Sequence, residues 1–389
     1  MLDIRLLLDF EPTFSARRAE NDLVASRMRT AHSVPAHREY MRSSYPSEPV
    51  LAEAAARIWE KYRKQETATR VGEASDLVIP KILQGHLMSS LIGKGERGEL
   101  VARLILTLAY DAAVRKSGPG LRTRAVPLQA FLEELFSEHY ATIANSTPNI
   151  GSVKFSEAFK DAQVRFSHFA RAGDDSAVST VACCAAILRS MAFQCTHNQR
   201  AIDIVIPVAF KNEALKESTM TGILISVRDR VQRSTWPSLD IDASNHAFFP
   251  PKDPEHPDKR PYISIVMELG IPPKKRAATN SERTGKQPSK KPKIRPGSFC
   301  VGRSDLRRSP RSEEPEHPQY SYYVYGCSPS IYKAVASEDV FASLLSSCTW
   351  LDEHPRQSSP FLQDVKKQKP FWSRGPEFYG WFGDAAALR

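Results

Sequence analysis

The residues with the most chemistry to offer lie in two short apolar runs, IDIVIPV at 202–208 and GILISVRDR at 222–230. Both are short, β-branched and bounded by turn and charge signals, which predicts buried strands. Side chains alternate along a strand, so Ile202, Ile204, Ile206 and Val208 are expected on one face and Asp203 on the other. In the second run Ile223, Ile225 and Val227 share a face, and Ser226 and Arg228 lie together opposite. A carboxylate on one strand and a cation on its neighbour, at the edge of an apolar sheet, is the skeleton of a metal-dependent phosphodiesterase site. It is equally the skeleton of a buried ion pair in which Arg228 is kept as the partner of Asp203. Thirteen residues separate the runs, too few for a helical crossover, so antiparallel pairing is predicted, with Asp203, Ser226 and Arg228 on the same side.

The elements that must carry these strands are mostly helical. LAEAAARIWEKYRKQE at 51–66 is built of good helix formers, with Leu51, Ala55, Ile58 and Tyr62 as its apolar stripe. GERGELVARLILTLAYDAAVRKSG at 95–118 has a wide apolar face made by Leu100, Val101, Leu104, Ile105, Leu108 and Ala112, and Gly118 marks its end. Glu99 falls at the start of this helix, where the helix dipole favours a carboxylate whatever its function. Helices are further predicted over 126–143, 153–171, 176–195 and 332–348, and strands over 261–269 and 320–327. Helices first, then strands, then a helix suits an α/β or α+β body around an antiparallel hairpin.

Composition narrows the function classes. At 389 residues with 41% hydrophobic content the chain can bury a real core. The six cysteines, Cys183, Cys184, Cys195, Cys300, Cys327 and Cys348, contain no CxxC pair, so buried free thiols in a reducing compartment are expected. MLDIRLLLDFEPTF does not read as a secretory signal, and the apolar stretch 176–195 contains Arg189, which suits a buried helix better than a membrane span. A soluble intracellular protein with no membrane partner is the expectation. The net charge of +10 is concentrated: Lys274 to Arg295 holds nine cations and one anion, or +8, leaving about +2 for the remainder. Residues 271–319, rich in Pro, Lys, Arg, Ser and Glu, are expected to be a disordered basic insert between a body at 49–270 and its continuation at 320–389. Residues 1–48 form a weakly defined extension.

A helix bearing Glu99, a strand bearing Asp203 and a neighbouring strand ending in a polar-x-cation triplet resemble the PD-(D/E)XK restriction-endonuclease-like superfamily. The segments SYPSEPVLAEAAARI, GELVARLILTLAYD, IDIVIPV with GILISVRDR, and YYVYGCSPSIY are similar to a multi-copy family of uncharacterised proteins from mushroom-forming fungi. The resemblance covers most of 38–389 outside the insert. It implies a mixed sheet flanked by helices, with Asp203 as the strand acid and Glu99 as the helix acid, both holding a divalent metal, Mg or Mn. It also places Ser226 where the superfamily needs Glu or Gln, and Arg228 where it needs Lys. Serine lacks the reach and charge of a carboxylate ligand. Arginine is a planar fork that keeps its proton, not a compact point charge. The implied site is therefore degenerate, with no cofactor.

Other candidates are less specific. Lys211 and Glu213 lie in the loop between the strands, where they could migrate into a site. Cys195 and His197 lack partners at zinc spacing. His168 reads as a partly buried helix residue rather than a catalytic base. Gly93, Gly95 and Gly98 form neither a P-loop nor a dinucleotide fingerprint. Trp372, Tyr379 and Trp381, near Lys366, Lys367 and Lys369, could stack on bases or pack on the body. Lys274, Lys275 and Arg276, with Lys290, Lys291 and Lys293, form two basic clusters on a flexible spacer, which reads as a bipartite nuclear-import signal or as a solvated, phosphate-binding linker. The expected function is a nuclear, nucleic-acid-associated protein with a degenerate nuclease-like site, whose partners are nucleic acid and an import receptor. The alternatives are a cytoplasmic structural or interaction domain, and an active metal-dependent nuclease with a rearranged site. The sequence leaves the oligomeric state open.

Overall fold

The computed structural model describes residues 2–8, 22, 24–26, 30–33, 42–44, 49–69, 77–87, 94–196, 199, 201–211, 213–229, 241, 243, 246–250, 259–270, 299–301 and 317–346. In chain order the α-helices are α1 (Leu2–Leu6), α2 (Pro49–Thr69), α3 (Val78–Leu87), α4 (Lys94–Lys116), α5 (Leu128–Phe136), α6 (Tyr140–Ala144), α7 (Phe155–Ala158), α8 (Thr180–Leu188) and α9 (Glu338–Ser346). The strands are β1 (Thr30–Ser33), β2 (Arg42–Ser44), β3 (Val126–Pro127), β4 (Ala162–Val164), β5 (His168–Arg171), β6 (Met191–Gln194), β7 (Ile204–Phe210), β8 (Met220–Arg228), β9 (Tyr262–Glu268), β10 (Phe299–Val301) and β11 (Gln319–Tyr325).

Nine of these strands form one mixed sheet in the order β10-β11-β9-β8-β7-β4-β3, with β5 and β6 attached through the β6–β7 pairing. The expected hairpin is present: β7 and β8 pair antiparallel, Ile204 opposite Ile225 and Val208 opposite Thr221. β8, β9 and β11 then run parallel. The other edge of β7 is divided between two short strands, β6 against Ile204 and Val205, and β4 against Val208 to Phe210.

Each face of the sheet carries its own apolar cluster. On the first face, Ile204, Ile206, Val208, Ile223, Ile225, Ile263, Ile265, Tyr320 and Tyr322 pack under α4, α5, α7 and α9. On the second, Val205, Leu224, Val266, Tyr323 and Tyr325 pack with Cys183, Ala186 and Ile187 of α8. Every residue of α4 from Leu100 to Tyr110 is buried, all eleven of them, so this helix is enclosed rather than amphipathic. Its two polar members there are Arg103 and Thr107, and Arg103 spends its guanidinium on the Leu6 carbonyl (2.7 Å) and the Leu7 carbonyl (3.3 Å). These are orphan acceptors at the end of the five-residue α1, whose exit through Leu7 takes a positive φ of 52°.

Several expectations are corrected. In α2 the buried stripe is Ala52, Ala55, Ala56 and Trp59, while Ile58 and Tyr62 are exposed. Residues 153–171 are not one helix but α7 followed by β4 and β5, so His168 is a strand residue and wholly buried. The stretch 176–195 is α8 and then β6, because Ser190 turns the chain with φ 55°. The helix expected over 126–143 is interrupted, with β3 ahead of α5 and a 3-10 turn at Ser137–His139, and the last helix begins only at Glu338. Within the supposed insert, Phe299–Val301 forms edge strand β10, and the Phe299 ring packs on Phe136 and Tyr322. The cysteines Cys183, Cys195 and Cys327 are buried free thiols, as expected, and Cys184 is a half-buried one.

Candidate functional site

The parallel strands β5, β6, β8, β9 and β11 finish at one end of the sheet, where β7 begins. That end gathers Gln194, Asp203, Arg228, Glu268 and Tyr325 as the terminal or flanking residues of their strands. The carboxyl ends of parallel strands are where open α/β sheets bind ligands. The first turns of α4 approach the same end. A Cβ added to Gly98 would stand 2.8 Å from the Asp229 Cβ, so glycine is what lets the helix start close against the end of β8.

Asp203 sits at a break in the strand. Ile204 belongs to the first-face cluster but Ile202 belongs to the second, so the expected shared face of 202, 204, 206 and 208 does not hold. The Asp203 N–H donates to the Ile225 carbonyl (2.8 Å), although Ile204 is the residue in register with Ile225. Two residues opposite one is a β-bulge, a device that re-aims a side chain. Here the carboxylate turns toward β8 and accepts the Val227 N–H (2.6 Å) and, more weakly, the Ser226 hydroxyl (3.5 Å). It thus takes the place of a ladder carbonyl one step beyond the last β7–β8 pair. Burial pushes the Asp203 carboxyl above the usual carboxylate range, against the opposing pull of the Val227 N–H, the Ser226 hydroxyl and the Arg228 charge.

Ser226 and Arg228 share the second face with Leu224, as alternation requires, while Val227 packs toward the first. Across the sheet, Ser226 is in register with Val266 and then Tyr323, and Arg228 with Glu268 and then Tyr325. The ion pair open to Arg228 is not formed. Among the described residues its guanidinium makes no hydrogen bond or close ion pair, to Asp203 or to Glu268, and acts on Asp203 only through space.

Glu99 reaches the same end of the sheet on the first face. Its Oε2 accepts the Gln194 amide (2.6 Å), Arg103 donates to the Gln194 Oε1, and the Arg103 guanidinium stands 4.0 Å from Glu99. Gln194 faces Ile204 in register, and the N–H of the next residue, Cys195, donates to the Asp203 carbonyl (2.8 Å). Glu99 and Asp203 therefore flank the same point of β6, but their carboxylates have separate partners. The structure brings Asp203 together with Ser226 and Val227. It does not join Glu99 to them.

This donor set does not fit a divalent cation. One carboxylate is bonded to an amide beside a guanidinium, the other holds a backbone N–H, and a serine stands where a third oxygen ligand is needed. Among the described residues no group of three His, Cys, Asp or Glu side chains lies at metal-binding spacing. Lys211 and Glu213 sit at the far end of β7, where Lys211 bonds to Asp161, so neither can join the site. His168 lies apart from it, its imidazole pushed down to about 3 by burial with help from the Arg5 and Arg189 charges, and its Nδ1 is 3.2 Å from the Ser167 hydroxyl. His197, Gly93, the six insert cations, and Trp372, Tyr379 and Trp381 lie outside the described residues. Gln194 and Tyr323 were missed by sequence reasoning. The alternation within YSYYVYGC carried a signal for Tyr323, and a polar residue closing the apolar MAFQ carried one for Gln194.

Among the described residues no helix is long and apolar enough to cross a membrane. No curated protein and no solved structure matches the chain. A family model does match residues 7–244, a span that takes in Glu99, Asp203, Ser226 and Arg228, and by it the chain belongs to the family described as Domain of unknown function (DUF8736).

Proposed function

We propose that this protein is a nucleic-acid-associated protein built on a nuclease-like mixed sheet whose catalytic site is degenerate and does not cleave. One observation carries the reading: the acids implied as metal ligands are spent on protein partners, Glu99 on Gln194 and Asp203 on the Val227 N–H, while Arg228 at the same sheet end makes no hydrogen bond or ion pair among the described residues. The reading is supported by the coarser architecture, a mixed sheet with an antiparallel hairpin, neighbouring parallel strands and helices on its faces. The basic clusters at 274–276 and 290–293 add a phosphate-seeking segment and a route into the nucleus through an import receptor. A purely structural or interaction domain is the second reading, favoured by the use of Asp203 as a ladder cap.

The test is a fluorescence-anisotropy titration of the full chain against single- and double-stranded DNA and RNA at several salt concentrations. Binding that weakens as salt rises, with a slope set by the phosphates contacted, is the expected result. Absence of binding to every nucleic acid at low salt leaves the structural reading standing and removes this one.

A further inference from the structure

Two polar groups on the second face of the sheet have no hydrogen-bond partner among the described residues. The Tyr323 side chain is 4% exposed, yet its hydroxyl is buried with no hydrogen bond. Buried hydroxyls without a partner are uncommon and call for an explanation, such as a water or ligand that completes them. Arg228, half-buried at the end of β8, makes no hydrogen bond or ion pair among the described residues. Register puts Tyr323 in the row of Ser226 and Val266, one step inside the row of Arg228, Glu268 and Tyr325, all on the same face. The Arg228 charge is felt at both the Tyr323 hydroxyl and the Asp203 carboxyl.

We infer that this end of the sheet is a metal-independent phosphate site, in which the Arg228 fork and the Tyr323 hydroxyl are the donors, with Ser226 in the register row of Tyr323 and on the same strand as Arg228. A guanidinium matches a phosphate in geometry and retains its charge at any ordinary pH. Glu268 stands opposite Arg228 in register, and among the described residues the two form no ion pair with each other. The nucleic-acid reading above is needed only to say that the phosphate comes from a polynucleotide backbone; an inorganic phosphate has the same chemistry.

The experiment is calorimetric titration of the full chain, in EDTA, with inorganic phosphate and separately with a short single-stranded oligonucleotide bearing a 5′-phosphate. Arg228→Met keeps the stem and removes the donors, and should weaken phosphate binding at least about tenfold. Arg228→Lys, with charge but no fork, should fall between. Tyr323→Phe removes only an unbonded hydroxyl, so it should weaken binding about three- to tenfold while leaving the melting temperature unchanged or higher. The site is overturned if wild-type binding is lost in EDTA, if no phosphate binds, or if folded Arg228→Met and Tyr323→Phe bind as the wild type does. Oligonucleotide binding that survives Arg228→Met overturns the site and leaves the nucleic-acid reading intact. Arg228-dependent binding of inorganic phosphate with no oligonucleotide binding does the reverse.

Discussion

If Asp203 caps the β7–β8 ladder, its replacements must separate the acceptor from the charge. Asp203→Ala removes the acceptor of the Val227 N–H, now 2.6 Å away, and leaves that N–H short of a partner. The cost of an unsatisfied buried donor is about 1–3 kcal/mol, which at roughly 2–4 °C per kcal/mol for a body of this size is about 2–12 °C in melting temperature. Asp203→Asn keeps an oxygen acceptor and removes the burial of charge. The sign with pH follows from the raised Asp203 carboxyl: its favourable contribution is complete below the unfolded pKa and is lost as pH rises through the folded one. The Asn variant should therefore match the wild type near pH 4 and exceed it increasingly toward pH 8, whereas the Ala variant should be clearly less stable at pH 4. Denaturant unfolding of the three proteins at both pH values reads this directly. An Ala variant as stable as wild type at pH 4 would refute the cap. So would Arg228→Met costing as much as Asp203→Ala, since that parity requires the ion pair the structure lacks.

Arg5 is wholly buried, paired bidentately with Asp111 at 2.7 Å, bonded to the Ser167 carbonyl and 4.4 Å from the centre of the Trp59 ring. Arg5→Ala should cost about 3–5 kcal/mol, with part of the loss recovered in a double Arg5→Met, Asp111→Leu variant, checked by a double-mutant cycle in urea. Glu134, 3% exposed, is drawn up by burial but more than offset by Lys116 and Lys333, which hold its carboxyl below the usual range. Its contribution is present above the unfolded pKa and lost as pH falls, so Glu134→Gln should cost about 1–2 kcal/mol at pH 7 and little at pH 3; equal losses at both would contradict the clamp. Alanine at Lys274, Lys275, Arg276, Lys290, Lys291 and Lys293 should abolish nuclear accumulation of a fluorescent fusion without changing its melting temperature, and unchanged accumulation removes the import signal.

The hairpin and α4 were legible because their patterns are local and strong: two β-branched runs on a thirteen-residue link, and one long apolar helix closed by charge. The failures share a cause. Phe155, Phe159, Ala162, Phe166 and Phe169 recur at helical spacing, and all are buried, yet only the first lies in a helix. The open edge of β7 needed partners, and residues 162–164 supply them, with the Asp161 carbonyl accepting from Lys211. Tertiary hydrogen bonding overrode the local period. Likewise the turn between α8 and β6 rests on a positive-φ serine, Ser190, where sequence reading looks for glycine. At the site the residue types of Asp203, Ser226 and Arg228 were legible, as was the shared face of the last two. The bulge at Asp203 was not, because an extra residue in a strand leaves no mark in composition.

The most direct test of a degenerate site is the fate of nucleic acid incubated with the full chain and Mg²⁺ or Mn²⁺, followed by both mobility shift and product analysis on the same samples. The account predicts retained, salt-sensitive binding with intact DNA and RNA over long incubation, and the same result for Asp203→Ala protein that remains folded. Metal-dependent cleavage by the wild type that disappears in Asp203→Ala would contradict it.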